Sequence, residues 1–150
     1  GPLGSVYYGQ VLFERVSLRR HTFRSEFLIS NVDTLPRVAI LYGHAGFDAS
    51  LVTDLVRRKY AGIVYAGTGN GNPSALTTET LAAAGKQGLI IVRSSRTGGG
   101  AVTRNAEVND DALVLVVAGD LNPQKARILL QLALLNTRSI AEIQEMFRQY

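Results

Sequence analysis

Gly67-Thr68-Gly69-Asn70-Gly71-Asn72 is the stretch whose residue types point most directly at chemistry. Its three alternating glycines let the backbone turn sharply and approach another group closely. Its two asparagine amides can each donate and accept hydrogen bonds. The loop follows Gly62-Ile63-Val64-Tyr65, an apolar run that reads as a buried strand. It precedes a helix predicted over 77–86. A polar loop leaving the carboxyl end of a strand is where α/β proteins hold small polar molecules. The spacing is not G-x-G-x-x-G, and no Lys-Ser or Lys-Thr follows at phosphate-loop distance, which argues against a dinucleotide.

Other candidates are fewer. Arg93-Ser94-Ser95-Arg96 closes a predicted strand, and a serine beside a base can be a nucleophile. The histidines available are His21 and His44, neither in triad context, so the serines are expected to serve structure. Either arginine suits a carboxylate ligand or a salt bridge. Ala106-Glu107-Val108-Asn109-Asp110-Asp111 holds three carboxylates but lacks the calcium-loop spacing and its glycine. It reads as a solvated acidic turn, one of whose acids could hold a substrate ammonium. His44, just after the first parallel strand, reads as a surface or interface residue.

The elements that must position these groups follow from hydrophobic pattern. Residues 1–36 read as an arm: a hairpin around Gly9-Gln10, then 19–34 without helical period, then Leu35-Pro36. From 37 to 150 strands and helices alternate. Apolar runs at 38–42, 62–66, 89–92 and 113–117 lack polar alternation, as in parallel strands buried on both faces. Asp48 or Ser50 can cap a helix carrying Leu51, Val52, Leu55 and Val56 on one face. Asn122 followed by Pro123 opens another helix, and Ser139-Ile140-Ala141-Glu142 is a capping box for the last. The fold class is therefore α/β. It is a small, flavodoxin-like parallel sheet of about four strands, with helices on both faces and a β-hairpin arm in front. Tyr7, Tyr8, Val11, Phe13, Phe23, Phe27 and Ile29 would be exposed on that arm.

Composition narrows the function. The chain has 46% apolar and 19% charged residues, ordinary for a globular domain. Its formal charge of +4 is modest and dispersed, so nucleic acid is not an expected partner. The absence of cysteine excludes disulfides and thiolate chemistry. No run approaches the ~18 apolar residues of a membrane span, and the first residues lack the basic and apolar regions of a signal peptide. Gly1-Pro2-Leu3-Gly4-Ser5 fits both a cleaved purification tag and a native segment.

Four segments together resemble one family. Gly67-Thr68-Gly69-Asn70-Gly71-Asn72, Val92-Arg93-Ser94-Ser95-Arg96, Asn105-Ala106-Glu107 and Leu121-Asn122-Pro123-Gln124-Lys125-Ala126-Arg127 occur in this order. They look like the carboxy-terminal domain of bacterial type II L-asparaginases and glutaminase-asparaginases. Arg20-His21-Thr22, Ser25-Glu26-Phe27 and Leu35-Pro36-Arg37-Val38 resemble that family's linker.

The resemblance implies a larger amino-terminal domain holding a threonine nucleophile. It also implies that this domain completes the active site of a neighbouring subunit in a homo-oligomer, a tetramer in the family. Asn72 and Glu107 match the family's two contributed positions and would bind substrate, with Glu107 at the α-ammonium. No catalytic residue, cofactor or metal is then expected in the chain itself. Residues 1–36 would end the amino-terminal domain. The substrate would be L-asparagine, with L-glutamine also open, and asparagine at position 72 leans towards the former. A periplasmic location is implied, a cytoplasmic one remains open, and the chain alone should be inactive. The rival readings are a stand-alone amino-acid-binding or dimerisation module and a flavodoxin-like nucleotide binder.

Overall fold

Tyr8 and Gly9 reverse the chain near its start. Both have positive φ, 48° and 80°, the two-residue turn whose twist matches that of paired strands. In the computed structural model, which describes residues 2–30 and 32–150, β1 (Gly4–Tyr7) therefore pairs antiparallel with β2 (Gln10–Phe13), Tyr7 opposite Gln10. The turn is Tyr8-Gly9, one residue earlier than the sequence suggested. Gly1, part of the segment open to two origins, lies outside the described residues.

The hairpin stands clear of the rest. Val6, Tyr7, Val11 and Phe13 are all exposed, Phe13 to 78%. The segment after it is tied down. Arg20 N–H donates to Gln149 O at 2.7 Å, and Arg19 spans Asp120 Oδ1 (2.9 Å) and Arg148 O (3.0 Å). A single 3-10 turn, Thr22–Arg24, follows. Tyr150 then reaches Ser25 Oγ at 2.7 Å and the Glu26 carboxylate, while its ring meets Phe27 with centroids 5.4 Å apart. Phe27 is thus half-buried, not exposed with the rest of the arm, because the aromatic ring of Tyr150 covers it.

The apolar runs form a parallel sheet. β3 (Val38–Tyr42), β4 (Gly62–Gly67), β5 (Ile90–Ser95) and β6 (Val116–Val117) lie in sequential order, with Ile63 beside Ala39 and Ile91. Alternation along each strand divides the core in two. Val38, Val64, Val92 and Val116 enter one cluster, and Ile63, Tyr65, Ile91 and Leu115 the other. α1 (Ser50–Arg57) and α2 (Ala75–Lys86), the crossover helices, cover the second cluster through Val52, Leu55, Leu81 and Ala84. The first cluster is covered by later helices.

The fourth strand is shorter than the sequence suggested. Asn109 Oδ1 accepts from Ala112 N–H at 3.1 Å and opens a single helical turn, α3 (Asp110–Leu113). Val114 then takes a left-handed φ of 58°. Pairing with β5 begins at Val116. An apolar run carries no period that separates a buried turn from a buried strand.

Caps set the helix starts. Ser74 accepts from Thr77 N–H, so α2 begins at Ala75, ahead of the expected 77. Asp48 Oδ1 accepts from Ser50 N–H at 2.9 Å ahead of α1. Asn122 accepts from Lys125 N–H at 2.9 Å with Pro123 in the first turn of α4 (Pro123–Asn136), and Ser139 caps α5 (Ile140–Gln149). α4 and α5 close the first core cluster with Leu129, Leu130, Ile143 and Phe147. α4 sits close to the sheet at Gly62, where an added Cβ would fall 2.8 Å from Leu130 Cδ2.

Two outcomes test this packing. Leu130 is fully buried, and Leu130→Ala should lower unfolding free energy by about 2–5 kcal/mol in urea titration. A loss near zero would mean that α4 repacks. The second concerns Glu26. Burial opposes its ionisation, but hydrogen bonds from Tyr150, the backbone and Arg20 prevail, holding the carboxyl below its ordinary 4.5. A depressed folded-state value stabilises fully above the unfolded-state value and is lost as pH falls through the folded one. The docking of 19–27 should therefore weaken below about pH 4.5. Tyr150→Phe should flatten that dependence, read from exchange of the Arg20 amide.

Candidate functional site

Four connections leave the carboxyl ends of the parallel strands, and side-chain contacts join the ones after β4 and β5. The first closes on itself. Asn72 N–H donates to Thr68 O at 2.8 Å, and Thr68 N–H to Asn72 O at 3.3 Å, making an antiparallel bridge across three intervening residues. Such a closure leaves no room for side chains inside. A Cβ on Gly67 would lie 2.4 Å from the Gly71 carbonyl carbon. At Gly71, where φ is 75°, a Cβ would lie 2.8 Å from Ser94 O. Gly67 and Gly71 are thus spent on backbone packed against backbone, while Gly69, in open space, supplies a positive φ of 51° to the turn.

The second loop, 96–109, returns to the first. Thr103 N–H donates to Asn70 Oδ1 at 2.7 Å. The Asn72 side chain donates through Nδ2 to Glu107 Oε2, joining residues 35 apart in sequence. A carboxylate only accepts, so this contact fixes which end of the Asn72 amide faces Glu107. Asn72 Oδ1 is buried without a partner among the described residues. Glu107 itself is exposed.

Beneath the contact lies a buried ion pair. Arg93, 1% exposed, continues the Ile91 side of β5, and Asp110, 0% exposed, opens α3. Arg93 Nε and Nη2 grip the two carboxylate oxygens at 2.8 and 2.9 Å. Two further donors reach Asn70 O and, at 3.1 Å, Thr103 O. Asp110 also accepts from Asn105 N–H at 2.8 Å. Sequence reasoning placed Asp110 in a solvated turn. Instead the guanidinium fork offsets the desolvation that burial imposes. Asp111 alone of that pair of acids faces water, where hydrogen bonds from Asn105 and Arg104 hold its carboxyl below the ordinary range.

The other candidates fall elsewhere. Ser94 Oγ donates to Leu121 O at 3.1 Å and Ser95 Oγ to Gly69 O at 2.6 Å, so both serines bind backbone. His44 Nδ1 contacts Ala45 O at 2.9 Å, and its ring meets the edge of Phe47. His44 does line a cleft of about 510 Å³ with Phe47, Tyr65, Thr68, Asn72 and Ser74. Burial pushes the Tyr65 phenol up, against a hydrogen bond with Thr77, so it stays neutral on the cleft floor. A cleft of similar size, about 520 Å³, lies under the arm between Arg19, Arg24 and Arg148, remote in sequence from both loops. Among the described residues, no group of three or more His, Asp or Glu could hold a metal. No helix among the described residues is long and apolar enough to cross a membrane.

Comparison with known proteins matches residues 37–147 to the glutaminase/asparaginase C-terminal domain. The chain belongs to that family. It is 45% identical to L-asparaginase 2 of Escherichia coli over its whole length, which is 43% of that protein. It is 45% identical to the glutaminase-asparaginase of Pseudomonas fluorescens, covering 42% of it. A protein named probable periplasmic L-asparaginase from Haemophilus influenzae is 41% identical, again over the whole chain and 43% of the relative. The chain therefore spans less than half the length of these curated relatives.

The glycine closure is open to test. In Gly67→Ala the added methyl meets only backbone atoms, which cannot rotate away, so a cost of about 1–3 kcal/mol is expected. The Asn72 amide should lose its exchange protection as the Thr68 bridge opens. Wild-type protection at Asn72 would show that the loop has other room.

Proposed function

We propose that this chain is the carboxy-terminal part of an L-asparaginase, and that Asn72 and Glu107 complete the substrate pocket of a neighbouring subunit. The observation that carries the reading is the direct contact between these two side chains at the carboxyl end of the sheet. Sequence places them 35 residues apart; the fold presents them as one polar unit beside a cleft.

The chemistry of the pair suits an amino-acid substrate. The Glu107 carboxylate keeps acceptor capacity beyond the one bond from Asn72, and an α-ammonium supplies donors for it. The Asn72 amide donates to Glu107 through Nδ2 with Oδ1 turned away from solvent, so its part is to hold the Glu107 carboxylate towards the ammonium. By family resemblance the nucleophile is a threonine of the amino-terminal domain. Its hydroxyl attacks the side-chain amide carbon, ammonia departs, and water cleaves the acyl-enzyme to L-aspartate. Residues 1–36 would then be the end of that domain and its linker. The exposed apolar hairpin is consistent with a surface made to be covered. The periplasmic location in the name of the Haemophilus relative supports the same compartment here.

In the two-domain enzyme, Glu107→Gln removes the charge facing the ammonium. Charge-assisted hydrogen bonds contribute roughly 1.5–3 kcal/mol, so kcat/KM for L-asparagine should fall about ten- to a hundredfold. Asn72→Ala should cost less, and Asn72→Ser should shift preference towards L-glutamine. Steady-state kinetics on both amides, with thermal melts beside them, decide the matter. Unchanged kinetics with a lowered melting temperature would make both residues structural. The 150-residue chain by itself should release no ammonia from L-asparagine, and robust release abolished by Ser94→Ala or Ser95→Ala would replace this mechanism with serine chemistry.

A further inference from the structure

We propose that Arg93, Asp110 and Asn70 form a brace that positions Asn72 and Glu107, making specificity-bearing geometry depend on three residues that touch no substrate. The kinetic consequence rests on the reading of Asn72 and Glu107 given above; the structural consequence does not.

The brace joins the two loops at matched points. Arg93 Nη1 binds Asn70 O, two residues before Asn72. Arg93 Nη2 binds Thr103 O, and Asp110 binds Asn105 N–H, two residues before Glu107. Asn70 Oδ1 ties the loops directly through Thr103 N–H at 2.7 Å. Ser95, two residues beyond Arg93 on the same strand, holds Gly69 O. Each loop is thus fixed within two residues of the side chain it presents.

Stability alone is a poor account of this arrangement. A buried ion pair is often no more stabilising than apolar residues of the same volume. Here the guanidinium uses four of its five N–H donors, and two of the four leave the carboxylate to grip loop carbonyls. Lysine, with no planar fork, cannot serve two oxygens of Asp110 and two loops together. A fork held rigid by burial transmits position in a way that a flexible surface pair does not.

The test begins with Asn70, whose replacement strands no buried charge. Asn70→Ala deletes the acceptor for Thr103 N–H. The readout is hydrogen exchange at the Asn72 and Asn105 amides of the 150-residue chain. Their own acceptors, Thr68 O and Asp110, remain in place. Exchange at both should rise about two- to tenfold, the effect of losing one neutral hydrogen bond, with β4 and β5 amides unchanged. Asn70→Asp keeps the accepting oxygen and should restore wild-type exchange. Arg93→Lys, if it folds, should loosen both loops further; if it does not, the Asn70 pair decides. Wild-type exchange at Asn72 and Asn105 in Asn70→Ala overturns the brace. In the two-domain enzyme Asn70→Ala should raise KM for L-asparagine more than it lowers kcat, and Asn70→Asp should return KM to the wild-type value. Loosened loops with unchanged KM would uphold the brace and count against the substrate role of Asn72 and Glu107.

Discussion

A guanidinium sealed inside an α/β domain must be neutralised and hydrogen-bonded, or the fold does not tolerate it. Arg93 sits on the central part of the sheet, in register with Tyr65 on one side and Val117 on the other. Its requirement for oxygen ligands organises what surrounds it. Asp110 must turn inward, so the chain before β6 makes a helical turn and not a longer strand. Two loops must bring carbonyls to the same point, so they lie side by side. The polar surface at the carboxyl end of the sheet is in this sense a consequence of one buried charge.

The sheet supplies what that charge needs. Sequential parallel strands place every strand's carboxyl end on one edge of the molecule. Alternation sends Ile63, Tyr65 and Ile91 to the α1 and α2 side, and Val64 and Val92 to the other. The same period of two sends Arg93 to the Ile91 side and Ser94 to the opposite one. Ser94 therefore meets Leu121 near the start of α4, while Arg93 meets the loops. One shift of register would exchange them.

Much of this was legible from residue order, and each exception has its own physical origin. Continuous apolar runs marked β3, β4 and β5. Asn122, Pro123 and Ser139 marked two helix starts, because caps are local and depend on a few adjacent residues. Residues 113–117 were not legible, since Leu113 and Leu115 serve the same core cluster whether the chain is turn or strand. Asp110 was hidden for a different reason. Its partner lies 17 residues away, and nothing in an acidic hexapeptide says which carboxylate turns inward. Asn70 was read, like Asn72, as a hydrogen-bonding amide, but its partner is visible only when Thr103 arrives. Pairing Asn72 with Glu107 came from family resemblance, as spacing alone could not have singled out those two.

The sequential strand order has a consequence for how the domain is made. Chains emerge from the ribosome amino-terminus first, and domains can begin to fold as they emerge. β3, β4 and β5, with α1 and α2, can assemble strand by strand, each new strand joining the edge just left by its predecessor. Only one face of that growing sheet is covered by the intervening helices. The other, with Val64, Ile90 and Val92, waits for Leu129, Leu130, Ile143 and Phe147, all translated after the last strand. A domain assembled in that order would carry an uncovered apolar wall until those helices appear, the interval in which a nascent chain is most exposed to chaperones and to its neighbours on the same message.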